Sequence, residues 1–89
     1  MNNSVFLNIF AIILFQLNEF ENAEKKWKKS IEINPKYFDA YNNLINAFLN
    51  LEKYDDAFNY ILKAIEIDLG NHELYHKLGD LFFKKKKNK

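Results

Sequence analysis

YNNLINAFLNLEKYDDAFNYILKAIEIDL, residues 41–69, decides the fold. Its pattern-bearing residues fall at Tyr41, Leu44, Phe48, Tyr54, Ala57, Ile61 and Ala64, a spacing of mostly three and four that lays one apolar stripe on each of two consecutive helices. Thirty-four residues upstream the same places hold Leu7, Phe10, Leu14, Phe20, Ala23, Trp27 and Ser30. Thirty-four residues downstream the first three hold Tyr75, Leu78 and Phe82. Self-similarity at this period is the mark of stacked helical hairpins, each of which has too little apolar surface to close a core alone and completes it against a neighbour.

Helix breakers fall where the period needs them. Asn18 can take the left-handed conformation that closes a first helix, and a second is expected from about Glu21 to Ile33, stopped by Pro35. A third helix is expected over Phe38 to Leu51 and a fourth over Asp55 to Asp68. Between them Glu52 sits where a left-handed Gly is preferred, so that turn should be strained or differently wound. Asn71 is a fair N-cap for a fifth helix from His72 to about Lys84, whose terminal lysines suit the negative pole of the helix dipole.

The composition agrees with an all-α fold. The 89 residues allow one small domain, and 48% hydrophobic content with 17% aromatics is enough for a packed core. Two glycines and one proline leave few tight turns for a sheet. With no cysteine there is neither a disulfide framework nor a thiolate metal site, and the cytoplasm is the default compartment. A net charge of +1 supplies no global field toward nucleic acid or anionic membrane. All thirteen bases are lysine, which argues against anion sites built on guanidinium forks. The run VFLNIFAIILFQL, residues 5–17, lacks the basic flank and small-residue cleavage site of a secretory signal and is too short for a membrane span. The period reads it as a buried helix.

On these residues the chain resembles the tetratricopeptide repeat (TPR) family. Tyr41, Leu44, Phe48, Ala57 and Ala64 fit the family pattern in the central repeat, Ala23, Trp27 and Pro35 fit it in the first, and Tyr75, Leu78, Gly79 and Phe82 fit it in an incomplete third. The departures are Ile45 and Ala11 at the glycine place, Ile61 at an aromatic, Ser30 at a small residue and Leu69 at the proline. The resemblance implies a right-handed α-solenoid of five helices, two and a half repeats, divided into residues 4–37, 38–71 and 72–85 with a basic tail at 86–89. It further implies a non-enzymatic protein-interaction module whose first helices line a concave groove for an extended peptide or a partner helix. That face carries Asp39, Asn42, Asn43, Asn46, Leu49 and Asn50 on the central repeat, with Asn8, Ile12 and Phe15 on one side and His76, Lys77, Asp80 and Phe83 on the other. Four asparagines on one side of one helix cost propensity, which fits an exposed or useful face, and each amide can donate and accept at once. The family's carboxylate clamp for chaperone tails is not reproduced: Asn43 matches and Lys77 could replace its arginine, but Asn8, Ile12 and Glu73 fill the remaining places.

The ends of the array invite self-association as an alternative. Phe6 and Ile13 occupy the places of Ala40 and Ala47, with Leu17 on the same side, facing where an earlier hairpin would lie. Tyr75, Leu78 and Phe82 await a partner helix, and terminal repeats normally carry a polar outer face. Either a longer array or a self-assembling unit, a homodimer included, would cover these residues.

One motif points elsewhere. His72, Glu73 and His76 spell H-E-x-x-H on a helix, the arrangement that binds zinc with a glutamate as general base. A third ligand would fall at Phe82, and no further histidine exists in the chain. A zinc-dependent hydrolase is thus a distant alternative, and no cofactor, metal site or catalytic residue is assigned. The lysine clusters at residues 25–29 and 84–89 read as solvated surface rather than a nucleic-acid site.

Overall fold

The computed structural model describes residues 3–87, and of Lys87 the backbone alone. Within them run five α-helices and no strand: α1 (Asn3–Gln16), α2 (Phe20–Ile33), α3 (Phe38–Asn50), α4 (Tyr54–Ile67) and α5 (His72–Lys87). Each packs on the next, and α1 also touches α3, so α1 and α3 share one layer and α2 and α4 the other. The resulting slab measures 41 × 30 × 16 Å, its thin dimension that of two packed helices. The expected ends hold to within a residue for α2, α3 and α4; α1 stops at Gln16, two residues before Asn18, and α5 continues to Lys87, past the expected stop at Lys84 and into the segment read as a tail.

The turns inside each hairpin share one construction. Asn18 and Glu52 both have positive φ, 64° and 60°. Behind them Glu19 N–H donates to the Leu14 carbonyl at 2.9 Å and Lys53 N–H to the Phe48 carbonyl at 2.8 Å. A left-handed residue followed by a bond spanning five residues is a Schellman closure, which satisfies carbonyls that the helix end would leave open. Glu52 thus meets the demand of the turn by adopting the strained conformation itself, at a cost of about 1–2 kcal/mol for a residue with a Cβ.

The turns between hairpins repeat as well. Tyr41 donates its hydroxyl to the Pro35 carbonyl and Tyr75 to that of Leu69, each at 2.9 Å. Because the acceptor is a main-chain carbonyl, the loss of proline at Leu69 leaves the bond intact. Burial pushes the Tyr41 hydroxyl above its ordinary pKa, in keeping with its role as donor. Asn71 caps α5 as expected, its Oδ1 accepting from the Leu74 N–H at 3.2 Å.

Small residues bring the layers together: Ala11, Ala23, Ala40, Ala57 and Ala64 are wholly buried, and Trp27, Phe48 and Ile61 fill the space beside them. Leu74 and Leu81 of α5 seal against α4, a pair the stripe reading omitted. The reading of α1 as a buried helix needs correction. It buries Ser4, Asn8, Ala11 and Leu14 and turns Phe6, Ile9, Phe10 and Ile13 outward, with Leu17 exposed just past its end. Small and polar residues face in because α2 approaches closely there, and the Ser30 Oγ donates to the Ser4 carbonyl at 2.7 Å. Among the described residues no helix is long and apolar enough to cross a membrane.

Candidate functional site

The inner layer carries a groove between α1 and α3. Its cavity of about 270 Å³ is lined by Ile12, Phe15 and Gln16 of α1, by Asn43, Asn46, Ala47 and Asn50 of α3, and by Trp27 beneath. Five residues expected in the groove are brought together here: Ile12, Phe15, Asn43, Asn46 and Asn50. Phe15 is held by ring contacts with Phe20 at 4.9 Å and Trp27 at 6.0 Å between centroids. Among the described residues no charged side chain lines the cavity. Asn46 and Asn50 are exposed one helical turn apart, and neither amide is engaged by another described residue.

Asn8 departs from its expected place on the wall. It is buried, accepting at Oδ1 from Trp27 Nε1 and from Asn43 Nδ2, each at 2.9 Å, while its own Nδ2 donates to the Tyr37 hydroxyl at 3.3 Å. A buried indole N–H needs an acceptor, and Asn8 is the amide that reaches it. The signal was present in the sequence as a lone polar residue within an apolar run. Gln16, Trp27 and Ala47 were not expected in the groove; Trp27 in particular reads as pure core until the hairpin is folded.

A second cross-link repeats this one along the array. Lys77 Nζ donates to Asn42 Oδ1 at 3.1 Å, joining α5 to α3 as Asn43 and Asn8 join α3 to α1. Lys77 is also 3.4 Å from Glu73. Of the remaining candidates, Asp39 is exposed and Leu49 packs half-buried against the core. His76 faces Asp80 across 3.5 Å, both well exposed. Asp39, Asn42, Leu49, His76, Lys77 and Asp80 lie outside the lining of the α1–α3 cavity. Phe83 is exposed on α5. Among the described residues no group of three or more His, Cys, Asp or Glu side chains gathers as a metal site would require.

On the outer layer Glu24 bridges Lys28 of its own helix at 2.9 Å and Lys53 of the next hairpin at 3.1 Å. Partial burial pushes its carboxyl up, but the two ammonium groups outweigh this and hold it below its ordinary value. The Glu24 bond in turn raises Lys28.

With hairpins, Schellman turns and repeated cross-links placed, comparison with known proteins decides the family. The TPR repeat profile matches residues 12–51, and the tetratricopeptide repeat profile matches residues 38–71. The chain is a tetratricopeptide repeat protein. This TPR chain is 31% identical over 67 residues to coatomer subunit epsilon of Dictyostelium discoideum, a match covering 75% of the chain and 22% of that subunit. Among solved structures, MamA superposes with a TM-score of 0.86 at 24% identity, covering 94% of this chain and 49% of MamA. YrrB, a TPR protein with an unusual peptide-binding site, superposes with a TM-score of 0.79 at 26% identity, covering 96% of this chain and 44% of YrrB. The TPR chain thus spans about a fifth of the coatomer subunit and less than half of either solved relative. Tetratricopeptide repeats are an interaction fold that is generally without catalysis.

Proposed function

We propose that this chain is a non-enzymatic interaction module that holds an extended segment of a partner protein in the α1–α3 groove. The observation that carries this is the lining of the cavity: an apolar side formed by Ile12, Phe15 and Trp27 opposite the amides of Asn43, Asn46 and Asn50. Residues one turn apart on a helix have Cβ atoms roughly 5–6 Å apart, close to the roughly 6.6 Å between alternate residues of an extended strand. Asn46 and Asn50 can therefore each meet a peptide group of the same strand, donating to its carbonyl and accepting from its N–H. An apolar side chain of the strand would enter the cavity, whose volume of about 270 Å³ suits one large residue. The peptide-binding site of YrrB, on the same fold at 26% identity, supports the reading.

Panning a displayed peptide library on the intact chain tests it. Selected sequences should share an apolar anchor and little charge, and Asn46→Ala with Asn50→Ala should weaken their binding by about 1–3 kcal/mol. Binding that the double variant leaves unchanged would refute the groove.

A second reading has an observation of its own. Phe6, Ile9, Phe10 and Ile13 form one stripe on α1, continued by Leu17 just past its end, with exposures of 38–64% and no charged residue within the helix. Self-association through this stripe would hide it. Sedimentation equilibrium at rising concentration separates the two: a monomer throughout removes self-association, whereas a dimer that Ile13→Asp dissolves establishes it.

A further inference from the structure

The groove holds three amides of α3, those of Asn43, Asn46 and Asn50, and they differ in their freedom to turn. Asn46 and Asn50 are exposed and no other described residue bonds their amides, so each can offer either its carbonyl oxygen or its NH2 group. Asn43 is held. The bonds beneath it start at the buried Trp27, whose indole nitrogen can only donate, so the atom of Asn8 that it reaches at 2.9 Å has to be Oδ1. Asn43 meets that same oxygen at 2.9 Å, and an oxygen that only accepts requires the Nδ2 of Asn43 against it. On its other side Asn8 is held through Nδ2, which donates to the Tyr37 hydroxyl at 3.3 Å. Turning Asn43 over would set its carbonyl oxygen against that of Asn8. Turning both amides would leave the buried indole N–H facing an NH2 group. The polarity of Asn43 is thus set from α1 and α2: Nδ2 bonds Asn8, and Oδ1 is the atom left for the cavity that Asn43 lines. Among the described residues nothing donates to that oxygen.

Given a groove that holds a partner segment, the reading on which this rests, we propose that Asn43 determines which segments fit: its Oδ1 is a fixed acceptor that demands one N–H donor beside the apolar anchor. Asn8 and Trp27 are positioning residues that act through it. An extended chain supplies such a donor from its main chain at every residue except proline. An acidic side chain or a terminal carboxylate in that place brings only acceptors, and oxygen would face oxygen. The ligand is therefore an internal stretch of a partner chain with neither proline nor an acid at that one position, rather than a free C-terminus. Opposite Asn46 and Asn50 the demand is weaker, because those amides turn to meet a donor or an acceptor.

The probe is the tightest-binding heptapeptide recovered by panning random heptapeptides on the intact protein. It is synthesised with acetyl and amide ends, and again as a series in which each peptide link in turn becomes an ester, which removes one N–H and puts an oxygen in its place. Titration calorimetry should find that one ester weakens binding about tenfold or more and the others about threefold or less. Proline, Asp and Glu should be missing from the sensitive position among the selected sequences. In Asn8→Leu and in Trp27→Phe, either of which frees Asn43 to turn over, the loss at that ester should fall to about threefold. The ratio of ester to parent is taken within each variant, so a general loss of groove shape divides out, and circular dichroism confirms that each variant keeps its helices. Asn46→Ala with Asn50→Ala separates the two levels. A parent peptide that this variant binds undiminished lies elsewhere, and the groove then falls together with the role of Asn43, as it does if panning returns no peptide. A parent peptide lost in that variant but with a flat ester series, or with a sensitive ester that stays as damaging in the folded Asn8→Leu or Trp27→Phe protein, overturns the role of Asn43 and leaves the groove standing.

Discussion

Asn8 joins three helices through one side chain. Its Oδ1 accepts from the Trp27 indole and the Asn43 amide and its Nδ2 donates to the Tyr37 hydroxyl, in a place that is 5% exposed. Leucine would fill a similar volume but leave the Trp27 N–H buried without an acceptor and release Asn43 and Tyr37. Asn8→Leu should therefore destabilise the protein by about 2–3 kcal/mol despite its greater hydrophobicity, measured by urea unfolding followed through Trp27 fluorescence. The sequence marked Asn8 as unusual by isolating it among apolar residues, yet its partners lie 19 to 35 positions away and no local pattern connects them. That distance is why the groove reading put it on the wall rather than beneath it.

At the level of elements, the hairpin turns were the most legible part of the chain. Pro35 and Asn18 act through their own backbone preferences and Asn71 through a side chain that caps the adjoining helix, so their effects appear in sequence without knowledge of packing. Glu52 was legible as a conflict, and its φ of 60° resolves that conflict at the expense of strain. Glu52→Gly should raise stability by about 0.5–1 kcal/mol, the relief of the left-handed penalty being partly offset by the greater freedom of Gly in the unfolded chain. Asn18→Gly, where asparagine already tolerates φ of 64°, should gain less. Thermal unfolding of both variants checks the order, and an unstabilised Glu52→Gly would mean that the Glu52 side chain contributes something its exposure does not show. The orientation of α1 was less legible. An apolar run announces a helix but not which side of it is buried, and the small residues on α2 chose the side holding Ser4 and Ala11.

For the whole molecule, burial is uneven along the array. Six residues of α3 are buried, and this helix alone has neighbours in both directions within its layer and across it, through α1, α2, α4 and the Lys77 link to α5. In such quasi-one-dimensional folds stability is a sum over neighbours, so amides of α3 should exchange with deuterium slowest and those of α5 fastest. Hydrogen exchange read by mass spectrometry tests this ranking, and uniform protection would show one cooperative unit instead. The period exposed this hierarchy in sequence because it counted neighbours. It could not reveal which of the groove residues share a cavity, since that depends on how closely α1 and α3 approach.

The Asn8 cluster bears on one hazard of a fold made from similar parts. Hairpins built on one period are candidates to trade places, within a chain or between chains, as repeat proteins do when they misassemble. The counterparts of Asn8, Trp27 and Tyr37 one period later are Asn42, Ile61 and Asn71. A second hairpin seated in the slot of the first would present Asn42 to the Tyr37 and Asn43 partners with Ile61 behind it, and the indole donor of the set would be absent. The first hairpin seated in the slot of the second would carry the Trp27 donor to a neighbour that lacks the tyrosine and asparagine completing the set. The polar cluster thus works as an address, distinguishing two parts that hydrophobic matching alone would leave interchangeable.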